Sequence, residues 1–326
     1  MKTLLSLLFA LGLVFGVSCR RDQDSTASVT PTAIPETVRM GFLPTVASVG
    51  LALAEQRSAK GGAVLLKGTQ FANTNDMLNA LVAGQLDFLP QLSSIPVFHL
   101  ELQHPGTVRV FSHSALRSSE PFDRILVRKD NATINSLQDL AGKKVGVFPG
   151  TTATNVLKAF LKKKGIDSSA ITFVPLAPPV QLAGLMSGGV DALLAYEPLP
   201  TIAIETEAVK AIYGSVFSEL LENTPVGLGV ISRSYERAHP QAAKQAVALM
   251  DDAHRIVAER PSEALPVLGG LLSVPEALRP KMHLTPMTQS NAIDVAQLQK
   301  WINLMVEIGE LPRPISAQAL TAATEP

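Results

Sequence analysis

The chain has 326 residues, of which 46% are hydrophobic and 17% charged, and its 28 basic residues balance 28 acidic ones. This composition excludes a disordered chain, and the length suits one large domain or two of medium size. The sequence contains no basic stripe with interleaved aromatic residues, so nucleic acid is not an expected partner.

The first 37 residues predict export and attachment to a membrane. An apolar run from Leu4 to Val17 has the length of a secretory signal peptide, which we place at 1–18. The segment Gly16-Val17-Ser18-Cys19 resembles a bacterial lipobox, with glycine where leucine is usual, and Cys19 is the only cysteine in the chain. We therefore expect lipidation of Cys19; a free thiol and an uncleaved anchor are the alternatives. Residues 19–37, rich in Ser, Thr and Pro, predict a flexible tether.

The folded body opens with three strand-loop-helix units. We predict strands at 38–43, at 63–67 and from residue 87, helices at 49–56, 77–83 and 95–102, and a third polar loop at 91–94. The strands are apolar, and the loops that follow them are polar or rich in hydroxyl groups. Successive units of this kind indicate a doubly wound parallel sheet, in which ligands collect at the carboxyl ends of the strands.

Residues 137–155 form a further strand-turn-helix joint. A short helix predicted at 134–140 ends before Gly142, a strand follows at 144–148, and Pro149-Gly150 breaks it. Thr151, Thr152 and Thr154 then precede an amphipathic helix predicted at 156–161. A helix N-terminus presents unpaired N–H groups and a partial positive charge, so this joint can bind an anion without an arginine. Taken alone, the stretch also fits a purely structural joint, because such turns occur in every α/β protein.

One local pattern occurs twice. Residues 80–87 and 183–191 each contain the end of a helix, a glycine, and the start of a strand whose first turn carries an aspartate, Asp87 or Asp191. This likeness predicts two lobes of similar topology.

Five segments carry a resemblance to a known family. They are Phe122–Lys129, Leu137–Val147 with the block Asp-Leu-Ala-Gly-Lys-Lys-Val-Gly-Val, Gly150-Thr151-Thr152, Gly188–Ala192 and Glu197-Pro198. In this order they resemble the solute-binding proteins of nitrate/sulfonate/taurine-type ABC importers, which share their fold with thiamine-pyrimidine-precursor binding proteins. The similarity extends over residues 38–310. It departs at residues 56–62, where the family often has a Gly-Tyr-Phe segment, so contacts from that region are not carried over.

The resemblance implies an α/β protein with the two-lobed periplasmic-binding-protein fold of type II. In this Venus flytrap each lobe is a doubly wound sheet flanked by helices, and a two-strand hinge joins the lobes. Lobe 1 is expected at 38–121 and 225–326, and lobe 2 at 122–224. Gly227 and Gly229 in the return strand are expected to absorb hinge rotation. Helices predicted at 240–258 and 293–308 would cover lobe 1, with Trp301 in its core.

The loops that face the implied cleft supply the expected ligand-binding residues. They are Thr45, Ser48, Thr74, Asn75, Ser93 and Ser94 from lobe 1, and Thr151, Thr152, Thr154, Tyr196 and Glu197 from lobe 2. Hydroxyl groups, an amide and helix N-termini suit an oxoanion or a neutral polar solute, although simple helix capping is the alternative for each Ser, Thr and Asn. The Glu197 carboxylate would repel a bare oxoanion but could hold an amine. Its alternative is a surface carboxylate before a turn proline.

The function that the resemblance implies is solute capture for an ABC importer outside the cytoplasm. The solute would be a small polar or anionic compound, such as a sulfonate, nitrate, or a taurine-like or pyrimidine-like molecule, delivered to permease and ATPase subunits. No cofactor and no metal site are expected. We expect a monomer, lipid-anchored to the bacterial membrane and facing the periplasm or the cell exterior.

Two other functions stay open at this point. A protein of this kind can report to a membrane sensor instead of a permease. Some menaquinone-pathway enzymes also resemble these binders, but they are cytosolic, whereas this chain carries an export signal. The six histidines are scattered, and the sequence shows no nucleophile-base pairing, no His/Cys metal spacing and no phosphate loop. We therefore predict a binding protein and not an enzyme.

Overall fold

The computed structural model describes residues 35–119, 121–272 and 274–324. The predicted signal peptide, Cys19 and most of the predicted tether lie outside these ranges. Within them, every helix is too short or too polar to cross a bilayer.

Lobe 1 is built on a five-stranded mixed sheet. Its strands are β1 (Glu36–Phe42), β2 (Val64–Gln70), β3 (Phe88–Ser93), β4 (Val108–His113) and β10 (Gly227–Ser232), in the order β2-β1-β3-β10-β4. Its helices are α1 (Val49–Ser58), α2 (Thr74–Val82), α3 (Ser94–Gln103), α8 (Arg233–Ala238), α9 (Pro240–Glu259), α10 (Pro261–Ala264), α11 (Leu268–Leu271), α12 (Val295–Glu307) and α13 (Ala317–Thr321). β10 runs antiparallel to both of its neighbours.

Adjacent residues of these strands enter different hydrophobic cores. Phe88 and Ile231 pack in the core that includes α1 and α9, whereas Leu89 and Val230 pack in the core that includes α2, α3 and α12. Successive side chains of a strand point to opposite faces, so a sheet covered on both sides needs apolar residues at every position. The doubly wound arrangement predicted from the apolar strands is confirmed.

Lobe 2 repeats this plan with shorter elements. Its strands are β5 (Asp123–Arg128), β6 (Lys144–Val147), β7 (Thr172–Pro175), β8 (Ala192–Tyr196) and β9 (Val209–Gly214), in the order β7-β6-β8-β5-β9. Its helices are α4 (Thr152–Lys163), α5 (Pro178–Met186) and α6 (Leu199–Glu205), and α7 (Val216–Leu220) follows on the way back to lobe 1. The predicted residue limits of the two lobes stay a prediction.

The two aspartates of the repeated pattern make the same contact in each lobe. The Asp87 carboxylate accepts a hydrogen bond from the backbone N–H of Arg39 at 2.8 Å, and the Asp191 carboxylate accepts one from the backbone N–H of Lys144 at 2.8 Å. In return, the Asp87 N–H donates to the Arg39 carbonyl and the Asp191 N–H to the Lys144 carbonyl, both at 2.8 Å. Each aspartate therefore fixes the register between two neighbouring parallel strands, which explains why the pattern recurs.

The chain passes between the lobes at the carboxyl edges of both sheets. β4 ends at that edge of the first sheet, and β5 begins where Asp123 pairs with Tyr196, at the carboxyl end of β8. β9 ends at the same edge of the second sheet, and β10 begins where Gly227 pairs with Ser93, at the carboxyl end of β3. The crossing segments, residues 114–122 and 215–226, thus bring the two carboxyl edges face to face.

The crossing segments also pair with each other. The Leu116 N–H donates to the Thr224 carbonyl at 3.2 Å, and the Thr224 N–H donates to the Leu116 carbonyl at 3.0 Å. A third segment joins them, because the Ala115 N–H donates to the Pro286 carbonyl at 3.3 Å. Residues 283–288 therefore run beside the two crossings that the sequence suggested.

Two local predictions are wrong. The helix predicted at 134–140 is only a 3₁₀ turn at Leu137–Leu140, because the Asn131 side chain accepts the Ile134 N–H at 2.9 Å and holds the preceding backbone in a turn. The loop predicted at 91–94 does not exist, since β3 runs to Ser93 and α3 begins at Ser94. Pairing with the return strand β10 keeps this polar stretch extended.

Gly229 is required by packing inside the sheet. A Cβ at this position would lie 2.9 Å from Cζ of Phe111 and 2.9 Å from the Pro90 carbonyl oxygen. β10 is also hydrogen-bonded to a neighbour on each side. The expected hinge role of Gly227 and Gly229 therefore stays a prediction, and close packing accounts for the glycine at 229.

Candidate functional site

The first loop of lobe 1 contributes one free hydroxyl group at the carboxyl edge. The Ser48 hydroxyl donates to the Leu43 carbonyl at 2.6 Å and closes the loop on itself. Thr45, in the same loop, has a buried Oγ1 that meets no hydrogen-bond partner among the described residues. A buried hydroxyl without a partner is costly, so Thr45 is the residue of this loop best placed to bond a solute.

The second and third loops of lobe 1 are mostly occupied by internal bonds. Asn73 caps α2 by accepting the Asp76 N–H at 2.9 Å, which leaves Thr74 half-buried and Asn75 exposed in the first turn. Ser93 is the half-buried last residue of β3. Ser94 is fully buried, and its Oγ accepts the indole N–H of Trp301 at 2.9 Å. The interpretation of Trp301 as a core residue is confirmed. Ser94 bonds its indole N–H from the cleft edge of lobe 1.

In lobe 2 the start of α4 already holds an anionic group from the chain itself. The Glu310 carboxylate accepts hydrogen bonds from the Thr152 hydroxyl at 2.7 Å, the Asn155 amide at 2.6 Å and the Thr151 hydroxyl at 3.2 Å. Glu310 is only 6% exposed, whereas Thr151 is exposed and Thr154, the third residue of α4, is half-buried. The predicted anion-binding joint therefore binds a carboxylate.

Tyr196 belongs to an aromatic wall at the carboxyl edge of lobe 2. Its ring stacks on Phe122 at a centroid distance of 5.6 Å, meets Phe217 edge-on at 5.7 Å and lies 6.2 Å from Phe148. Burial raises the pKa of the Tyr196 phenol. Phe148 is 41% exposed directly after β6, so this wall has an exposed apolar surface.

Glu197 lies next to Tyr196 and forms a buried ion pair. Its Oε1 accepts hydrogen bonds from the Arg124 guanidinium at 2.5 Å and the Thr201 hydroxyl at 2.9 Å. Its Oε2 is buried and meets no partner among the described residues. Burial raises the pKa of Glu197, opposed by Thr201 and Arg124. The alternative of a surface carboxylate is wrong, because the β5–β8 pairing draws Arg124 and Glu197 together inside the lobe junction.

Asp123 ties the two crossing segments to each other. Its carboxylate accepts the backbone N–H groups of Val216 at 2.5 Å and Phe217 at 3.5 Å, at the start of α7. Burial raises the pKa of Asp123 to about 7, although these two N–H groups and Arg124 favour the charged form. The carboxylate at the end of one crossing thus orients the beginning of the other.

The loops indicated by the sequence stay a prediction as a ligand site, and the structure adds several side chains at the same edge that the sequence did not mark. Phe148 follows an apolar strand directly, a position that could have marked it as a cleft residue. Arg124 and Glu310 carry no local signal, because their partners are far away in sequence. In the ranges that the structure covers, no cluster of His, Cys, Asp and Glu has the arrangement of a metal site.

Comparison with known proteins identifies the family. The NMT1/THI5 like family model matches residues 72–264. The putative aliphatic sulfonates-binding protein of Escherichia coli K12 is 25% identical over 191 residues, 58% of this chain and 58% of that protein, so the match spans less than two thirds of the relative. The taurine-binding periplasmic protein of the same organism is 25% identical over 252 residues, 74% of this chain and 76% of that protein.

Solved structures share the fold. The periplasmic aliphatic sulphonate binding protein of Escherichia coli gives a TM-score of 0.73 at 20% identity, over 90% of this chain and 94% of that one. The periplasmic nitrate-binding protein of Synechocystis PCC 6803 gives 0.68 at 15% identity, over 88% and 85%. The desulfurization enzyme DSZB gives 0.66 at 14% identity, over 88% and 96%. The periplasmic-binding-protein fold predicted from the sequence is confirmed, and it is shared by binders and at least one enzyme.

The ion pair at Glu197 predicts a pH-dependent stability defect. Arg124→Met removes the cation and leaves a buried carboxylate, so we expect a loss of about 3–5 kcal/mol in the free energy of unfolding at pH 8. Burial raises the folded-state pKa of Glu197 above its unfolded value, so stability falls as pH rises from the unfolded pKa to the folded one. Loss of Arg124 raises the folded-state pKa further and extends this pH range upward. The defect measured by urea unfolding should therefore shrink at pH 5.

The matched control is Arg128→Met on the same strand, which breaks the exposed pair between Arg128 and Asp130. This change should cost less than about 1 kcal/mol at either pH. An equal loss for Arg124→Met at pH 5 and pH 8 would contradict the assignment.

Proposed function

Because the chain belongs to the NMT1/THI5-like family, we propose that it is the extracytoplasmic solute-binding component of an ABC importer. It captures a small solute between the two lobes and delivers it to permease and ATPase subunits. The observation that carries the proposal is the facing of the two carboxyl edges, each lined with polar loops and joined by short crossings. Two lobes arranged in this way can close around a ligand by rotating about the crossing segments.

The chemistry of the site favours a sulfonate with a small organic body. Hydroxyl groups at helix starts donate hydrogen bonds to an oxoanion, and Thr45 keeps such a donor unused. Arg124 neutralises Glu197, which removes the expected repulsion between that carboxylate and an anion. The exposed ring of Phe148 beside Tyr196 can cover an alkyl or aryl group. A nitrate ion would use only the hydroxyl donors at the helix starts, and a pyrimidine-like solute would use mainly the aromatic wall.

An enzyme of the same fold is the second candidate, and the likeness to DSZB is what favours it. The two buried histidines of this chain are engaged in the fold. His113 Nε2 accepts the Asp294 N–H at 3.0 Å, and His254 contacts the Thr288 carbonyl at 3.2 Å. Both relatives named above are binding proteins by name, so we place solute binding first. Permease and ATPase genes next to this one would support transport over sensing.

Cys19 is proposed to carry a lipid anchor that attaches the protein to the bacterial membrane, facing the periplasm or the cell exterior. The lipobox-like segment before Cys19 supports this, and residues 19–37 would act as the tether. The solute-binding body is proposed to work as a monomer, since both faces of the cleft come from one chain.

A thermal-shift screen tests the proposed function. The full chain carrying Cys19→Ser would be heated with ethanesulfonate, taurine, nitrate or a pyrimidine, each over a range of concentrations. A ligand at 100 times its dissociation constant adds about 2.7 kcal/mol to the free energy of unfolding, so a true solute raises Tm. We expect the sulfonates to give the largest rise. Failure of every compound would contradict the proposal for these solute classes.

Thr45→Val separates solute binding from stability. The buried hydroxyl has no internal partner, so replacing it by a methyl group should leave the free energy of unfolding unchanged or raise it. Affinity for the solute found in the screen should fall by about 0.5–1.5 kcal/mol, measured by calorimetric titration. Ser48→Ala is the control, because it removes a hydroxyl bonded to Leu43 and should lower stability instead. Unaltered affinity in Thr45→Val would exclude this residue from the site.

Cys19→Ala tests the anchor. If a diacylglyceryl thioether at Cys19 holds the protein, the variant should appear in the soluble fraction after cell disruption, whereas the parent sediments with membranes. N-terminal sequencing checks that the variant is still cleaved. A cleaved variant that remains with the membranes would refute the lipid anchor.

A further inference from the structure

The Glu310 carboxylate connects the two lobes at the start of α4. Glu310 follows α12, which packs on lobe 1 through Trp301, while its three donors Thr151, Thr152 and Asn155 belong to lobe 2. A second polar contact across the lobes, Lys281 with Glu205, is solvent-exposed on both sides. Glu310 is almost fully buried, so its contact is the better shielded of the two.

The backbone places this carboxylate firmly. α12 ends at Glu307, and Gly309, two residues further on, has φ +81°. The N–H groups of Gly309 and Glu310 donate to the carbonyls of Val306 at 3.1 Å and Met305 at 2.8 Å. This is the double bond pattern of a Schellman cap. Leu311, the next residue, is buried in the core. The cap after α12 and the buried Leu311 therefore fix the backbone of Glu310 at the lobe junction.

The donors that Glu310 uses are ones that a solute anion would use. Thr151 is the N-cap residue of α4, yet its hydroxyl makes no capping bond to its own helix. The hydroxyl groups of Thr151 and Thr152 donate to Glu310 instead. A carboxylate and a sulfonate have the same charge and similar acceptor oxygens, and both are stabilised at a helix N-terminus.

We propose that Glu310 is an internal competitor for the solute's anionic group and thereby sets the specificity of the cleft. The inference rests on the proposed function. Without solute, the carboxylate fills the donor set at α4 and holds the lobes together. A plain anion must displace it and meets its negative charge, whereas a zwitterion brings an ammonium group that the displaced carboxylate can pair with. The cleft therefore discriminates against simple sulfonates in favour of amino-sulfonates.

The binding test uses two probes that differ by one ammonium group, ethanesulfonate and taurine. Glu310→Gln keeps the size of the side chain and removes its charge. Titration calorimetry on the full chain with Cys19→Ser should show that the variant gains about tenfold for ethanesulfonate relative to taurine, the effect of one charge-assisted contact. The control is Glu307→Gln, which removes the same charge from an exposed site on the same helix. A purely structural clamp would weaken both probes alike, and an unchanged ratio would overturn the proposal.

A second measurement does not depend on the solute. Spin labels at Gln85→Cys and Ser187→Cys in the Cys19→Ser chain, both exposed and one in each lobe, report the distance between the lobes. In the solute-free protein, Glu310→Gln should shift the label-to-label distances to larger values and broaden their distribution, and Glu307→Gln should change neither. If neither sulfonate binds the parent protein, the proposed function fails for that solute class and the competitor role fails with it, whereas binding with an unchanged ratio refutes the competitor role alone. Identical distributions in the parent and Glu310→Gln would refute it.

Discussion

The backbone pairing of Leu116 with Thr224 sets the relation between the two sheets. These residues lie in the two segments by which the chain leaves and re-enters lobe 1, and each donates its N–H to the carbonyl of the other. Both segments start and finish at carboxyl edges because β5 and β10 are inserted antiparallel into otherwise parallel sheets. The helix starts of both lobes therefore meet at one place. Every candidate ligand contact depends on that geometry, since none of the loops could bind a small solute alone.

Three carboxylates are buried where the lobes join, and each is held in a different way. Glu197 has a cation, Arg124, whereas Asp123 accepts mainly backbone N–H groups. Glu310 accepts only neutral hydroxyl and amide groups. Burying a charge is costly unless strong partners replace water. Asp123 and Glu310 both accept from neutral groups, but the donors of Glu310 are side chains at the start of α4, where a solute anion would also bind, and this makes its negative charge relevant to the charge of the solute.

The fold was predictable from the sequence because the signals are local. Apolar strands, hydroxyl-rich turns and the glycine-aspartate pattern at Asp87 and Asp191 each occupy a few consecutive residues. For the candidate site, the sequence indicated only a set of loops, which stays a prediction. Ser94 and Thr152 were recognised as polar residues at helix starts, but their partners, Trp301 and Glu310, lie more than 150 residues away. Which hydroxyl stays free for a solute is decided by such tertiary contacts, and no local pattern records them. The short helix predicted at 134–140 failed for a different, local reason: the Asn131 side chain accepts the Ile134 N–H three residues further on and holds the backbone in a turn.

The position of Trp301 gives the protein a built-in optical reporter. It is the only tryptophan in the chain, it is fully buried, and its indole N–H is bonded to Ser94 at the cleft edge of lobe 1. Its ring lies 6.4 Å from that of Phe217, which belongs to the returning crossing segment. The emission of a single indole responds to the polarity and packing around it. A rearrangement of the crossing segments against lobe 1 would therefore be visible in the intrinsic fluorescence of the unlabelled protein.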